Sequence, residues 1–298
     1  MSTILITGAA RGIGHELALR AIARADTVFA VVRKESDRTR FGASPNLQVP
    51  NLHAPNLHVV VMDVAETASV EAGFLEVDRL LGGKPLDAII NSSAISIPIV
   101  IEIATMSEFE RTFDTNVLGS LRILKAAIPR LRGHGGRLLL LTSLWGKASG
   151  AMLGSYCASK HAIESLADTA RRETAGMNLE IIVIEPGVVN TDMLTGQEAE
   201  CESVLRAMSP AQQSLYGSLY RRYTKLTASA GRTAITVTRC AEEIEKALSA
   251  RRPRTRYRVG RDAAIVCFLA WALPDRWMDA LMGLSLNRKP LSPVRDAG

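Results

Sequence analysis

The chain has 298 residues, about twice the ~150-residue soft prior for one domain, so one large α/β domain with an added tail fits as well as two domains. Apolar residues make up 47% and charged residues 22%, close to soluble-globular averages, which removes disordered, collagen-like and low-complexity classes. A formal charge of +6 permits attraction to phosphates or anionic lipid, but Arg251, Arg252, Arg254, Arg256, Arg258 and Arg261 account for much of it.

In chain order, residues 3–7 (TILIT), 27–32 (TVFAVV), 58–62 (HVVVM), 87–91 (DAIIN), 137–142 (RLLLLT) and 179–184 (LEIIVI) are short runs rich in aliphatic and β-branched side chains. Each reads as a strand buried on both faces. Helix-period stretches occupy 12–24, 68–81, 107–132 and 154–175, the third opening at Ser107 with an acidic first turn. This alternation predicts a doubly wound parallel sheet, Rossmann-like, in three α/β/α layers.

Residues 35–56 break the pattern and repeat Pro-Asn-Leu from Pro45, Pro50 and Pro55, which reads as an extended surface loop. Residues 191–236 are polar and weakly periodic, a loosely patterned cover for a substrate, and 242–248 return to a helical pattern. From 252 to 260 arginines alternate with Pro253, Thr255, Tyr257 and Val259. That period of two predicts a last, half-exposed strand with a solvated arginine face. No aromatic stacking pattern accompanies the charge, so nucleic acid is not an expected partner.

The tail from 263 to 286 reads as two helices broken at Pro274, carrying Phe268, Trp271, Trp277, Met278 and Met282. Core or dimer packing is the expectation, with a hydrophobic lid or a membrane-surface helix as alternatives. Residues 1–260 are read as one domain and 261–298 as a C-terminal helical extension and tail. The 11-residue apolar run 263–273 falls short of the ~20 residues that span a bilayer. The N-terminus lacks the pattern of a secretory signal, and Cys157, Cys201, Cys240 and Cys267 lie at least 27 positions apart. Reduced thiols and a cytoplasmic location are expected. His15, His53, His58, His134 and His161 show no ligand-like grouping, so no metal is expected.

The chemistry begins where the first strand runs into Thr7-Gly-Ala-Ala-Arg-Gly-Ile-Gly14 and a helix follows. Glycines there allow a tight bend and let a pyrophosphate approach the helix N-terminus, where free N–H groups and the dipole favour anions. Tyr156 and Lys160, four apart, occupy one face of a helix. An ammonium beside a phenol favours the phenolate, and is expected to lower the tyrosine pKa toward the working pH. The second strand ends Val31-Val32-Arg33-Lys34, with Val32 where an acidic residue would meet the ribose 2′-hydroxyl of NAD. Arg33, with Arg11 in the glycine turn, suits a 2′-phosphate, so NADP (NADPH) is favoured over NAD.

Gly8-x-x-x-Gly12-x-Gly14, Asp63, Asn91, Asn116, Ser143, Tyr156-Cys-Ala-Ser-Lys160, Pro186-Gly187 and Thr191 follow in order, and together they resemble the short-chain dehydrogenase/reductase family. The resemblance covers about residues 2–190. It implies a Rossmann-like fold and carbonyl–alcohol interconversion by hydride transfer. Tyr156 would be the general acid or base, Ser143 would hydrogen-bond the substrate oxygen, Lys160 would also hold the nicotinamide ribose, and Asn116 would anchor a water. The implied cofactor-binding set is Gly8, Arg11, Gly12, Ile13, Gly14, Arg33, Asp63, Val64, Asn91, Tyr156, Lys160, Pro186, Gly187, Val189 and Thr191. Later segments, Arg252 to Asp262 and Leu273-Pro-Asp-Arg276, look like the 17β-hydroxysteroid and retinol dehydrogenase branch, which implies a small hydrophobic carbonyl or alcohol substrate.

The family's usual Asn-Asn-Ala-Gly is here Asn91-Ser-Ser-Ala94, and the added methyl of Ala94 is expected to reduce cofactor affinity. Family members are commonly homodimers or homotetramers, which makes 107–132 and 154–175 candidate interface helices. The alternative is a non-catalytic dinucleotide-binding sensor or scaffold, which would have no need of Asn116, Ser143, Tyr156 and Lys160 together.

Overall fold

The computed structural model describes residues 1–42 and 54–285. Seven strands form one parallel sheet in the order β3-β2-β1-β4-β5-β6-β7: β1 Thr3–Thr7, β2 Thr27–Val32, β3 Leu57–Val61, β4 Ala88–Asn91, β5 Gly136–Leu141, β6 Leu179–Pro186 and β7 Arg256–Val259. Register is set by apolar residues on both faces, as in Leu5 opposite Phe29 on β2 and opposite Ile89 on β4. The predicted doubly wound parallel sheet is the observed one.

Successive strand residues point to opposite faces and so feed two cores. On one side Ile4, Ile6, Val28 and Ala30 meet α1 (Gly12–Ala23) and α8 (Val237–Ser249). On the other, Leu5, Phe29 and Val60 pack against α2 (Thr67–Leu81), α4 (Gly119–Leu131) and α5 (Gly154–Glu173). Chains that leave β1 and β4 turn to opposite faces, and the crevice between their C-terminal ends is where a parallel sheet of this order receives a ligand.

The stretch 107–132 is not one uninterrupted helix. It divides into α3 (Met106–Phe113), a π-helical turn Asp114–Leu118, and α4. The cap is Thr105 rather than Ser107: Thr105 Oγ1 accepts from Glu108 N–H, and Glu108 Oε2 accepts from Thr105 N–H at 2.8 Å. A capping box satisfies two helix-end donors at once, which is why it outcompetes the serine two residues on.

The segment 191–236 is helical rather than loosely structured, made of α6 (Asp192–Ala207) and α7 (Pro210–Thr233). Its weak periodicity has a physical reason: α6 buries only Gln197 and Cys201, and α7 only Gly217, Leu219, Tyr220 and Tyr223. Helices that bury so narrow a stripe leave little apolar pattern. The helical signal at 242–248 belongs to the longer α8. Of the Pro-Asn-Leu repeats, those at Pro45 and Pro50 lie outside the described residues, and Pro55 leads into β3.

The arginine strand β7 is present, but its face is not simply solvated. Arg256 Nε donates to Glu164 at 3.0 Å and Nη2 to Asp168 at 2.6 Å, while Arg258 Nε donates to Glu185 at 3.0 Å. Glu185 is fully buried, and burial together with the nearby Glu164 carboxylate pushes its pKa up. Guanidinium groups reach these carboxylates because β7 lies beside β6 and near α5. The period of two in the sequence could not distinguish paired from solvated arginines.

Beyond β7, α9 (Arg261–Ala272) and α10 (Asp275–Ser285) are separated at Pro274, as expected. Core packing of the tail does not hold for its aromatic residues: Trp271 is 81% exposed and Trp277 68%. Only Ala263 and Cys267 of α9 are buried. No helix among the described residues is long and apolar enough to cross a membrane.

Candidate active site

The candidate site lies where β1, β4, β5 and β6 end. Thr7 closes β1, and Gly8 follows with φ of 66°. A side chain on Gly8 would lie 3.1 Å from the backbone of Ser92 and Ser93. A Cβ on Gly14 would sit 2.6 Å from the Gly8 carbonyl oxygen. The turn therefore passes tightly between α1 and the segment after β4, and only glycine fits at these two positions. Arg11 precedes α1 in extended conformation with no side-chain cap, so the first N–H groups of α1, at Gly12, Ile13 and Gly14, face the crevice edge without a side-chain acceptor. These features fit a dinucleotide pyrophosphate.

Arg11 and Arg33 are exposed, and neither has an ion-pair partner among the described residues. Val32, at the end of β2, is buried. Asp63 N–H donates to Ser69 Oγ at 2.9 Å and Asp63 Oδ1 accepts from Ala65 N–H at 3.0 Å, which folds the chain after β3 into a turn. Val64 is buried against Gly119, where an added Cβ would meet its Cγ2 at 3.0 Å. Ala94 has no left-handed backbone, so its methyl brings no backbone strain to this segment.

A buried polar chain connects the strand ends. Thr7 Oγ1 donates to Asn91 Oδ1 at 2.7 Å, and Asn91 Nδ2 donates to Ser120 Oγ at 2.9 Å. Ser120 Oγ donates in turn to the Asn116 carbonyl at 2.6 Å. Asn116 Nδ2 donates to the Ile95 carbonyl and to Ser159 Oγ, both at 2.9 Å, and its Oδ1 accepts from Ile95 N–H at 2.9 Å. Ser159 Oγ reaches the Tyr156 carbonyl at 2.7 Å. A fully paired network of this kind rigidifies its members, because an unpaired buried polar group is costly. Sequence reading identified Asn91 and Asn116 but missed Thr7, Ser120 and Ser159. Ser159 carried the one available signal, its place between Tyr156 and Lys160.

Ser143 follows β5 in extended conformation, is buried, and acts to lower the pKa of the Tyr156 hydroxyl. Lys160 is buried, donates from Nζ to the Leu141 carbonyl at 2.9 Å, and lies 5.5 Å from the Tyr156 ring centroid. Burial lowers the Lys160 pKa to about 8, against the pull of the Glu164 carboxylate one turn on. Glu164 itself accepts from Thr142 Oγ1 at 2.6 Å. The Tyr156 pKa moves opposite to the expected direction: burial pushes it up to about 12, and the influence of Ser143 only partly offsets this. The reason is that the tyrosine stands in an apolar wall, where loss of solvent disfavours the charged phenolate.

That wall comes from the helices absent in the sequence reading. Cys201 of α6 and Leu219, Tyr220 and Tyr223 of α7 cluster with Met152, Leu153, Cys157, Trp145 and Tyr156. Tyr223 donates to Gln197 Oε1 at 2.9 Å, and Val100 N–H donates to Tyr220 Oη at 3.3 Å. Pro186 ends β6, Gly187 and Val189 follow, and Thr191 precedes α6 with its Cγ2 3.6 Å from where a Gly12 Cβ would stand. The residues of the implied cofactor set thus lie at the ends of β4 and β6 or in the segments that follow β1, β2, β3 and β6, with Tyr156 and Lys160 on α5.

A parallel sheet in this order, a glycine turn into α1 and a Ser-Tyr-Lys cluster after β5 define a dinucleotide-dependent oxidoreductase class. The short chain dehydrogenase family model matches residues 2–202, and the chain belongs to that family, in its retinol dehydrogenase-like branch. Retinol dehydrogenase 16 of Homo sapiens is 31% identical over 290 residues, covering 94% of this chain and 87% of the relative. NADPH-dependent 3-dehydrocapnine reductase of Ornithobacterium rhinotracheale is 24% identical over 294 residues, covering 97% and 98%. A short-chain dehydrogenase from Streptomyces avermitilis shares the fold with a TM-score of 0.74 at 20% identity, covering 97% of this chain and 99% of that one. Another from Burkholderia cenocepacia, in complex with NADP, has a TM-score of 0.69 at 21% identity, covering 97% and 98%.

Proposed function

We propose that the protein interconverts a hydrophobic ketone or aldehyde and its alcohol, using NADP(H), with Tyr156 as general acid and base. The observation that carries this reading is the Ser143–Tyr156–Lys160 cluster, which stands after β5 within the same crevice as the glycine turn. Bound there, the reduced nicotinamide supplies a hydride to the carbonyl carbon. Tyr156, neutral at physiological pH and with burial pushing its pKa further up, gives its hydroxyl proton to the carbonyl oxygen as the C=O π pair moves onto that oxygen. Ser143 donates a hydrogen bond to the same oxygen and stabilises the charge that develops on it. Lys160, with its pKa near 8, is still mainly protonated at pH 7 and stabilises the tyrosinate left behind.

Exposed Arg11 and Arg33, with no carboxylate at the end of β2, support a dinucleotide that carries a 2′-phosphate. The NADP-bound and NADPH-dependent relatives point the same way. The apolar wall of Met152, Leu153, Tyr220 and Tyr223 beside Tyr156 favours an aliphatic, steroid-like or retinoid-like substrate over a polar one. The test is NADPH oxidation against small, aliphatic, aromatic, steroid and retinoid carbonyls, run beside Tyr156→Phe. We expect turnover in the apolar part of the panel and a loss of about 10²–10⁴-fold in the variant. Tight NADPH binding with no turnover on any carbonyl would instead favour a dinucleotide-binding sensor.

A further inference from the structure

The backbone that leaves β6 is gripped by a carboxylate from the C-terminal helix α9. Asp262 Oδ2 accepts from Val188 N–H at 2.6 Å. The carboxylate lies so close over Gly187 that a Cβ at that position would be 2.1 Å from Oδ1 and 2.2 Å from Oδ2. On its other side Gly260, with φ of 107°, also makes room: a Cβ there would be 2.4 Å from Oδ1. Two glycines far apart in sequence thus accommodate one acidic side chain.

The neighbouring backbone is paired around this contact. Gly187 N–H donates to the Val259 carbonyl at 2.8 Å, the Val188 carbonyl accepts from Ile235 N–H at 3.1 Å, and Asn190 N–H donates to the Ile235 carbonyl at 3.0 Å. Asp262 completes the set, since without it the Val188 N–H has no acceptor. The gripped segment ends at Thr191, against the glycine turn at Gly12.

We propose that Asp262 is a positioning residue that fixes residues 187–191 against the nicotinamide end of the bound dinucleotide. This rests on the cofactor reading above. The glycine turn, which includes Arg11, addresses the pyrophosphate, and Arg33 follows β2. Residues 187–191 follow β6, the neighbour of β5, where Ser143 stands beside Tyr156. Dinucleotides lie across such a crevice, so the two halves meet different strands. Asp262 therefore acts on one half only.

The test compares equilibrium binding of NADPH with that of 2′-phospho-ADP-ribose, which lacks the nicotinamide, by tryptophan fluorescence and calorimetry. Asp262→Ala should weaken NADPH by about tenfold or more, the loss of one charge-assisted hydrogen bond, and leave 2′-phospho-ADP-ribose unchanged. Asp262→Asn, whose amide oxygen can still accept from Val188, should recover most of the NADPH affinity. Gly187→Ala, whose methyl displaces the carboxylate without removing it, should give the same selective loss, and adding Asp262→Ala to it should change little further. Should Asp262→Ala not fold, Gly187→Ala carries the same expectation. Equal weakening of both ligands, or of neither, would overturn the inference while leaving the cofactor reading intact. A wild-type protein that binds neither ligand would overturn the cofactor reading itself.

Discussion

Lys160→Met should make the protein more stable at neutral pH while removing its activity. Lys160 is 2% exposed, and burial lowers its pKa from the ordinary 10.5 to about 8. At about 1.4 kcal/mol per pH unit, holding this amine charged in the folded state destabilises the fold by about 3 kcal/mol. Methionine fills a similar volume without charge, but it leaves the Leu141 carbonyl without its 2.9 Å donor, an offset of about 1–2 kcal/mol. A net gain of about 1–2 kcal/mol at pH 7 follows.

The pH dependence has a definite sign. Between the folded value of about 8 and the ordinary 10.5, the unfolded chain keeps the lysine proton and the folded chain has lost it. Wild-type stability therefore rises with pH across that window relative to the variant, and the variant's advantage is gone at its upper end. Urea unfolding of both proteins, followed by far-UV circular dichroism near pH 7 and near pH 10, measures the difference, in which groups common to both cancel. A variant that is less stable than wild type near pH 7, by an amount that does not change near pH 10, would refute the assignment of a buried, charged Lys160.

Two further outcomes are expected. Arg33→Asp should weaken NADPH by about tenfold or more and shift the preference toward NADH, read as the ratio of the two dissociation constants; a wild-type protein that binds NADH as tightly as NADPH would remove the basis for this. Glu245→Gln should loosen the contact between α8 and α1: burial opposes ionisation of Glu245, yet Arg20, at 2.8 Å, and Arg24 hold its pKa below the ordinary 4.5. The ion pair contributes stability above that value and loses it as pH falls through the folded pKa, so the variant should lose about 1 kcal/mol near pH 7 and converge with wild type in acid, checked by thermal unfolding.

What could be read without the structure was whatever local chemistry enforces. Six of the seven strands are runs of aliphatic residues buried on both faces, and their alternation with helices leaves few topologies open. Gly8 and Gly14 are legible because backbone geometry excludes any side chain, and Tyr156 with Lys160 because a helical turn brings them to one face. α6 and α7 were not legible, since they bury too few residues to leave a period. The π-helical turn around Asn116 was hidden because its residues suit an ordinary helix equally well.

The amino-acid sequence by itself determined the sheet, the tight glycine turn into α1 and the helical pairing of Tyr156 with Lys160. Only the tertiary structure decided how those groups behave. Burial raises the Tyr156 pKa where proximity to lysine argued for lowering it, because α6 and α7 close an apolar wall around the ring. It also decided that Arg256 and Arg258 meet buried carboxylates rather than water, and that Asp262 reaches back 74 residues to hold Val188. Such long-range pairings depend on which strands lie side by side, and no spacing along the chain encodes them.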